Sequence, residues 1–201
     1  IGGVWGKGPG DDECDVTALN TSLYEGDPIS ADEHRGTARS LSQRRLSSRQ
    51  LRPGDIVLER SGGSNDQPVG RVVIVSHEPE HPTVPSDFMR LVRPSQDIVD
   101  PKYVFWRLWS QYHEGKTLKF QTQTTSIRNL RIPEYLAQPL VFPSRPTQAA
   151  VVALAERAQD FRCKALSVGD SLRALRTALL AELLSGDHQI PESYDRFLEA
   201  V

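Results

Sequence analysis

Two polar stretches carry the side chains best suited to reading a polyanion. The first, Arg60-Ser61-Gly62-Gly63-Ser64-Asn65, sets hydroxyl and amide groups beside two glycines, which permit close backbone approach and positive φ. It could touch phosphates or base edges, or it is a plain hairpin turn. It lacks the glycine and Lys-Ser/Thr spacing of a P-loop, which excludes nucleotide binding of that kind. The second, residues 116–128, interleaves Lys116, Lys119 and Arg128 with Gln121, Gln123, Thr124 and Thr125. Gln pairs with the adenine edge, Arg and Lys with guanine, and Lys, Ser and Thr commonly hold phosphate. This mixture suits a base-reading surface, with a polar strand and turn as the alternative.

Catalytic constellations are poorer. Asp55 and Glu59 imitate the acidic end of a metal-dependent nuclease site, but no lysine accompanies them in their strand-like run. His77 and His81 stand among Pro79, Pro82 and Pro85, where no helix can aim both at a metal. The acidic run Asp11 to Asp15 has no EF-hand pattern and reads as a solvated loop. No Gly-x-Ser-x-Gly elbow or Cys/His pairing is present. The expectation is a binder rather than an enzyme, with no cofactor and no metal.

Charge is partitioned although the net value is only -2. Residues 11–33 hold eight acids and no Lys or Arg, whereas residues 35–71 hold eight arginines against three acids. Residues 102–131 hold six basic residues against Glu114 alone. A nearly neutral chain can thus present a phosphate-tracking face, although a solvated face also explains charge runs. Candidate DNA contacts are Lys7, Arg44, Arg45, Arg60, Arg71 and the residues of the two polar stretches.

The elements that must position these side chains are legible unevenly. Asp55 to Glu59 and Val69 to Val75 read as strands flanking the glycine-rich loop, with further strands expected at Asp87 to Val92 and Leu136 to Phe142. Pro101 to Tyr112 reads as a helix, because Phe105, Leu108, Trp109 and Tyr112 share one side; Trp106 and Trp109 are expected in the core. Residues 26–50 read as a surface insertion. The sharpest signal is C-terminal. Val151, Leu154, Ala158, Phe161, Ala165, Val168, Leu172, Leu175 and Leu179 alternate steps of three and four, the seam of a coiled coil. Pro146 opens that helix and Gly186 ends it, giving a rod about 58 Å long. Its stripe needs a partner, either a second such helix or the chain's own globular body, and the mix of small and large residues suits an antiparallel pairing at least as well as a parallel one.

The expected class is therefore α+β: a mixed, strand-rich globular domain over 1–145, one long coiled-coil helix over 146–185, and a tail over 186–201. The length of 201 residues fits one domain plus an appendage. No apolar run is long enough for a membrane span. Cys14 and Cys163 offer no disulfide framework and point to a reducing, cytoplasmic setting. The chain opens at Ile1 rather than Met, which points to a further segment upstream.

Several fragments together resemble the DNA-specificity subunit of type I restriction-modification systems. They are residues 1–6 (IGGVWG), 51–57 (LRPGDIV), 69–74 (VGRVVI), 124–133 (TTSIRNLRIP) and 139–148 (PLVFPSRPTQ), the last running into the long helix. Their order and spacing cover nearly the whole chain. The resemblance implies a target recognition domain followed by a spacer helix, two such halves lying with their helices antiparallel on a bipartite site. It implies a DNA adenine methyltransferase subunit and a restriction subunit as catalytic partners, and a role in phage defence. The family usually carries two recognition domains and two helices, whereas this chain has one of each, so it reads as a half-size subunit forming a homodimer or as a fragment of a longer chain that recognises half of a bipartite site. The competing expectation is a regulatory or protein-interaction module of a defence system that keeps the fold without reading DNA.

Overall fold

The computed structural model describes residues 1–63, 67–124 and 127–185. It is α+β: three small sheets and a long C-terminal helix. Two compact units divide between Val152 and Ala153.

Nine strands alternate with four helices along the described chain: β1 Cys14–Leu19, β2 Gly36–Leu41, α1 Gln43–Arg49, β3 Ile56–Glu59, β4 Ser61–Gly63, β5 Val72–Ile74, β6 Thr83–Pro85, β7 Met89–Val92, α2 Pro101–His113, β8 Gln121–Thr124, β9 Ile127–Leu130, α3 Ile132–Leu136 and α4 Arg145–Ser185. They form three sheets ordered β2-β1-β6, β5-β3-β7 and β4-β9-β8. Among the described strands, β1 and β6 alone pair in parallel. Central strand β3 is buried at all four positions, so it reads as a continuous apolar run ending in Glu59. Val57, Val73 and Leu91 of the β5-β3-β7 sheet pack with Leu19, Leu23, Tyr24, Leu51 and Met89 in the main core, while Val16, Ala18, Leu41, Leu46 and Val84 form a second cluster around β1. Each Val, Leu or Met side chain so buried contributes about 1.5 to 3 kcal/mol.

Helix α2 is set locally. Asp100 caps it by accepting from the Lys102 amide at 2.8 Å, Pro101 stands in the first turn, and Gly115 (φ 70°) follows its end. Its buried face, Tyr103, Val104, Phe105, Trp106 and Leu108, packs toward β5. Trp106 is in the core, and Trp109 lies half-buried with its ring edge-on to Trp106.

Two expectations about local structure are corrected. Residues 136–142 form no strand: α3 ends at Leu136, Pro139 and Pro143 remove ladder donors, and Val141 is 76% exposed. Residues 26–50 are not merely an insertion, because β2 completes the β1 ladder from Cys14↔Leu41 to Leu19↔Gly36 and α1 buries Leu46. Their polar composition conceals a strand that ends in buried Ser40 and Leu41 and on which the half-buried Arg39 lies 4.2 Å over the Trp5 ring.

Helix α4 has Pro146 in its first turn, as the sequence leads one to expect. Its first two turns belong to the globular unit, however, which moves the boundary from residue 145 to 152. Buried Gln148 accepts from the Asp100 amide and donates to the Pro143 carbonyl, both at 2.8 Å, and Val152 is buried beyond it. From Ala153 to Ser185 no residue is buried. Among the described residues, no helix is long and apolar enough to cross a membrane.

Candidate nucleic-acid interface

The β4-β9-β8 sheet unites the two polar stretches. Strand β9 lies between β4 and β8, with Ser61↔Asn129 and Gly63↔Arg128 on one side and Gln121↔Leu130, Thr122↔Asn129 and Gln123↔Arg128 on the other. A register shift between Ser61 and Gly63 marks a bulge in β4. Directly opposed residues share a face, so Gln121, Gln123 and Arg128 project from the same side of the sheet. Gln121 is anchored, its Nε2 donating to the Val69 carbonyl at 3.1 Å, and Gln123 is exposed.

Both glycines of β4 are required by the protein's own backbone. A Cβ at Gly63 would stand 2.4 Å from the Gln67 carbonyl oxygen, and Gly62 has φ 121°. Ser61 is buried, donates to the Asn129 amide oxygen and accepts from Arg60 Nε at 3.1 Å. Its hydroxyl therefore orders the sheet. Asn129 is a site residue that sequence reasoning missed, because nothing local to it signals a partner 68 positions away. Ser64, Asn65 and Thr125 lie outside the described residues, as does the Thr124 side chain.

The remaining candidates are dispersed. Lys7 bridges to Ser40 and pairs with Asp12 at 3.4 Å. Arg44 and Arg45 are exposed on α1. Lys116 pairs with Glu114, and Lys119 lies 5.0 Å over the Phe120 ring.

Arg71 has a different role from the other arginines of its stretch. It donates Nε to Glu59 Oε2 at 2.9 Å and Nη2 to Oε1 at 2.6 Å, and the Glu59 side chain is fully buried. Desolvation depresses the Arg71 pKa, but the hydrogen bond and charge of Glu59 outweigh it and hold the guanidinium above its ordinary value. Tyr24 lies beneath, its ring 4.9 Å from Arg71; burial, then the Glu59 charge, pushes its phenol well up. Asp55 is wrapped similarly by Arg93 at 2.7 and 2.6 Å and by the Arg52 amide at 2.8 Å. Each acid of the nuclease-like run thus holds an arginine inside the fold. Among the described residues, no three His, Cys, Asp or Glu side chains cluster as metal ligands.

The apolar residues of α4 beyond the globular unit are uncovered: Leu154 is 71% exposed, Phe161 75%, Val168 59%, Leu172 61% and Leu175 55%. No family model matches the chain, and no curated protein sequence is significantly similar to it.

Proposed function

We propose that this chain is a sequence-reading, double-stranded DNA-binding subunit of the type I specificity kind, which pairs through α4 with a second copy and directs a methyltransferase and a restriction subunit to a split target. One observation carries the reading. Parts of the two stretches that composition marks separately, Ser61 to Gly63 of 60–65 and Gln121 to Thr124 with Ile127 and Arg128 of 116–128, belong to one three-stranded sheet with Arg128 on its central strand. In this mechanism Arg60 and Lys119 hold phosphates, while Gln123 and Arg128 meet base edges, with Gln121 and Asn129 fixing the sheet beneath them. The chain's own residues bind and orient; methyl transfer and cleavage belong to the partner subunits.

The exposed stripe of α4 supports the pairing, since a helix with an unburied apolar seam gains most of its stability by covering it. The test is selection of bound duplexes from a randomised pool, followed by titration of the selected sequence against salt. The expected result is a two-part palindromic motif whose affinity falls steeply with salt. Absence of enrichment together with salt-insensitive binding would overturn the proposal and leave a protein-interaction module.

A further inference from the structure

Five arginines lie on or beside the β5-β3-β7 sheet, and they fall into two classes. Arg71 and Arg93 are neutralised bidentately by buried carboxylates. Arg49, Arg60 and Arg90 are not. Their hydrogen bonds end on neutral oxygens: Arg49 Nε on the Gly2 carbonyl at 2.9 Å and Nη1 on Ser48 Oγ at 2.7 Å, Arg60 Nε on Ser61 Oγ at 3.1 Å, and Arg90 Nη1 on the Met89 carbonyl at 2.8 Å. Each retains guanidinium donors beyond those bonds.

These three are also contiguous. Arg49 and Arg90 meet at Gly2, where a Cβ would stand 3.8 Å from the Arg90 guanidinium carbon. Leu58 opposes Arg90 across β3 and β7, and Arg60, two residues on and with its amide donating to the Phe88 carbonyl at 2.8 Å, stands on the same face diagonal to Arg90. Burial, then the Arg60 charge, lowers the Arg90 pKa against a weaker opposing effect of Asp87. Burial, then Arg90, Arg49 and Arg93, likewise lowers the Ile1 ammonium. Like charges held this close, pinned by neutral carbonyl and hydroxyl oxygens and in no salt bridge among the described residues, fit a ligand that brings several negative charges in a row. Arg60 leads directly into β4 of the reading sheet, and Arg49 ends α1, which carries exposed Arg44 and Arg45.

We propose that Arg60, Arg90 and Arg49 form a phosphate track that receives the DNA backbone beside the reading sheet and carries it toward α1. Arg90 is a contact outside every basic stretch of the sequence, and the track rests on the DNA-binding reading above. A guanidinium fork matches phosphate oxygens in pairs, so each of the three takes one phosphodiester.

The test uses the full chain and a mixed-sequence duplex about three helical turns long, with binding followed by fluorescence anisotropy over a range of salt. Arg49→Gln/Arg90→Gln should weaken binding to every sequence alike and reduce the salt slope by about two, near one per lost phosphate contact. Arg49→Lys/Arg90→Lys should restore most of that slope. Arg173→Gln, on α4 and paired with Asp170, is the control for net charge and should leave it unchanged. Thermal unfolding confirms that each variant is folded; should the glutamine pair unfold, the lysine pair combined with Arg60→Gln, expected to lose about one unit of slope, supplies the reading. Wild-type binding with an undiminished slope in the glutamine pair, or an equal loss in Arg173→Gln, overturns the track and leaves the DNA-binding reading standing. Absence of salt-dependent binding by the wild type removes both.

Discussion

Arg71 and Glu59 form a two-pronged ion pair in which the carboxylate has no solvent exposure and the guanidinium side chain only 11%. The pair closes the end of β3, since the Glu59 amide also donates to the Arg71 carbonyl at 2.8 Å. Arginine and acid are thereby consumed by the fold. Removing one partner strands a buried charge, so Glu59→Ala should cost about 3 to 5 kcal/mol in urea unfolding. Glu59→Leu/Arg71→Met together should restore most of it. If Glu59→Ala is as stable as the wild type, the pair is not holding the strand.

Sheet residues that face bases and those that face phosphates should separate experimentally. Gln123→Ala and Arg128→Ala are expected to cost about 1 to 3 kcal/mol on the selected sequence and to relax preference at one base pair each. Lys119→Ala should weaken all duplexes equally. Competition against a panel of single-base-pair variants of the selected site checks this, and uniform losses in all three would remove the reading role.

The α4 seam restricts how two copies can pair. Its flanking positions hold Arg157, Arg162, Lys164 and Arg176 and no acid. A parallel, in-register dimer brings Arg157 against Arg162 of the second copy. The antiparallel register that sets Ala165 opposite Val168, and Ala158 opposite Leu175, instead faces these cations with Ala178, Gly169, Ser171 and Ala155. Phe161→Asp/Leu172→Asp should therefore give monomers in sedimentation. In a background with Cys14 and Cys163 replaced by serine, Ala158→Cys/Leu175→Cys should cross-link between chains on oxidation while Ala158→Cys alone should not. Cross-linking by Ala158→Cys alone would establish the parallel arrangement, in which each seam residue meets its own copy.

Tyr135 is 2% exposed, rests edge-on against Phe120 at 5.6 Å between ring centroids, and has a buried hydroxyl without a hydrogen-bond partner. Tyr135→Phe should be neutral or stabilising by about 1 kcal/mol, because an unmade buried hydrogen bond is removed with nothing lost. Burial raises its pKa, so the folded chain keeps a proton that the unfolded chain releases above about pH 10. Stability should fall as pH rises past that point, and less steeply in Tyr135→Phe. An identical alkaline decline in both would assign the loss to other groups, with Tyr24 the next to examine.

Residue patterns alone determined the elements whose signals are local. The three-four spacing from Val151 to Leu179, with Pro146 ahead of it, predicts α4, and the spacing of Phe105, Leu108, Trp109 and Tyr112 after Pro101 predicts α2, because helix periodicity is settled within a few residues of chain. Composition likewise marked 60–65 and 116–128 as polar stretches fit for an anion. Tertiary structure decided which side chains within them are left for a ligand. Arg60 and Arg71 look alike in the sequence, yet the register of β3 and β5 gives Glu59 to Arg71 and leaves Arg60 unpaired. Ser61 and Asn129, Arg49 and Gly2, and Arg60 and Arg90 become neighbours only when strands distant along the chain pair. Strand pairing depends on long-range register and shared burial, and no local period encodes either.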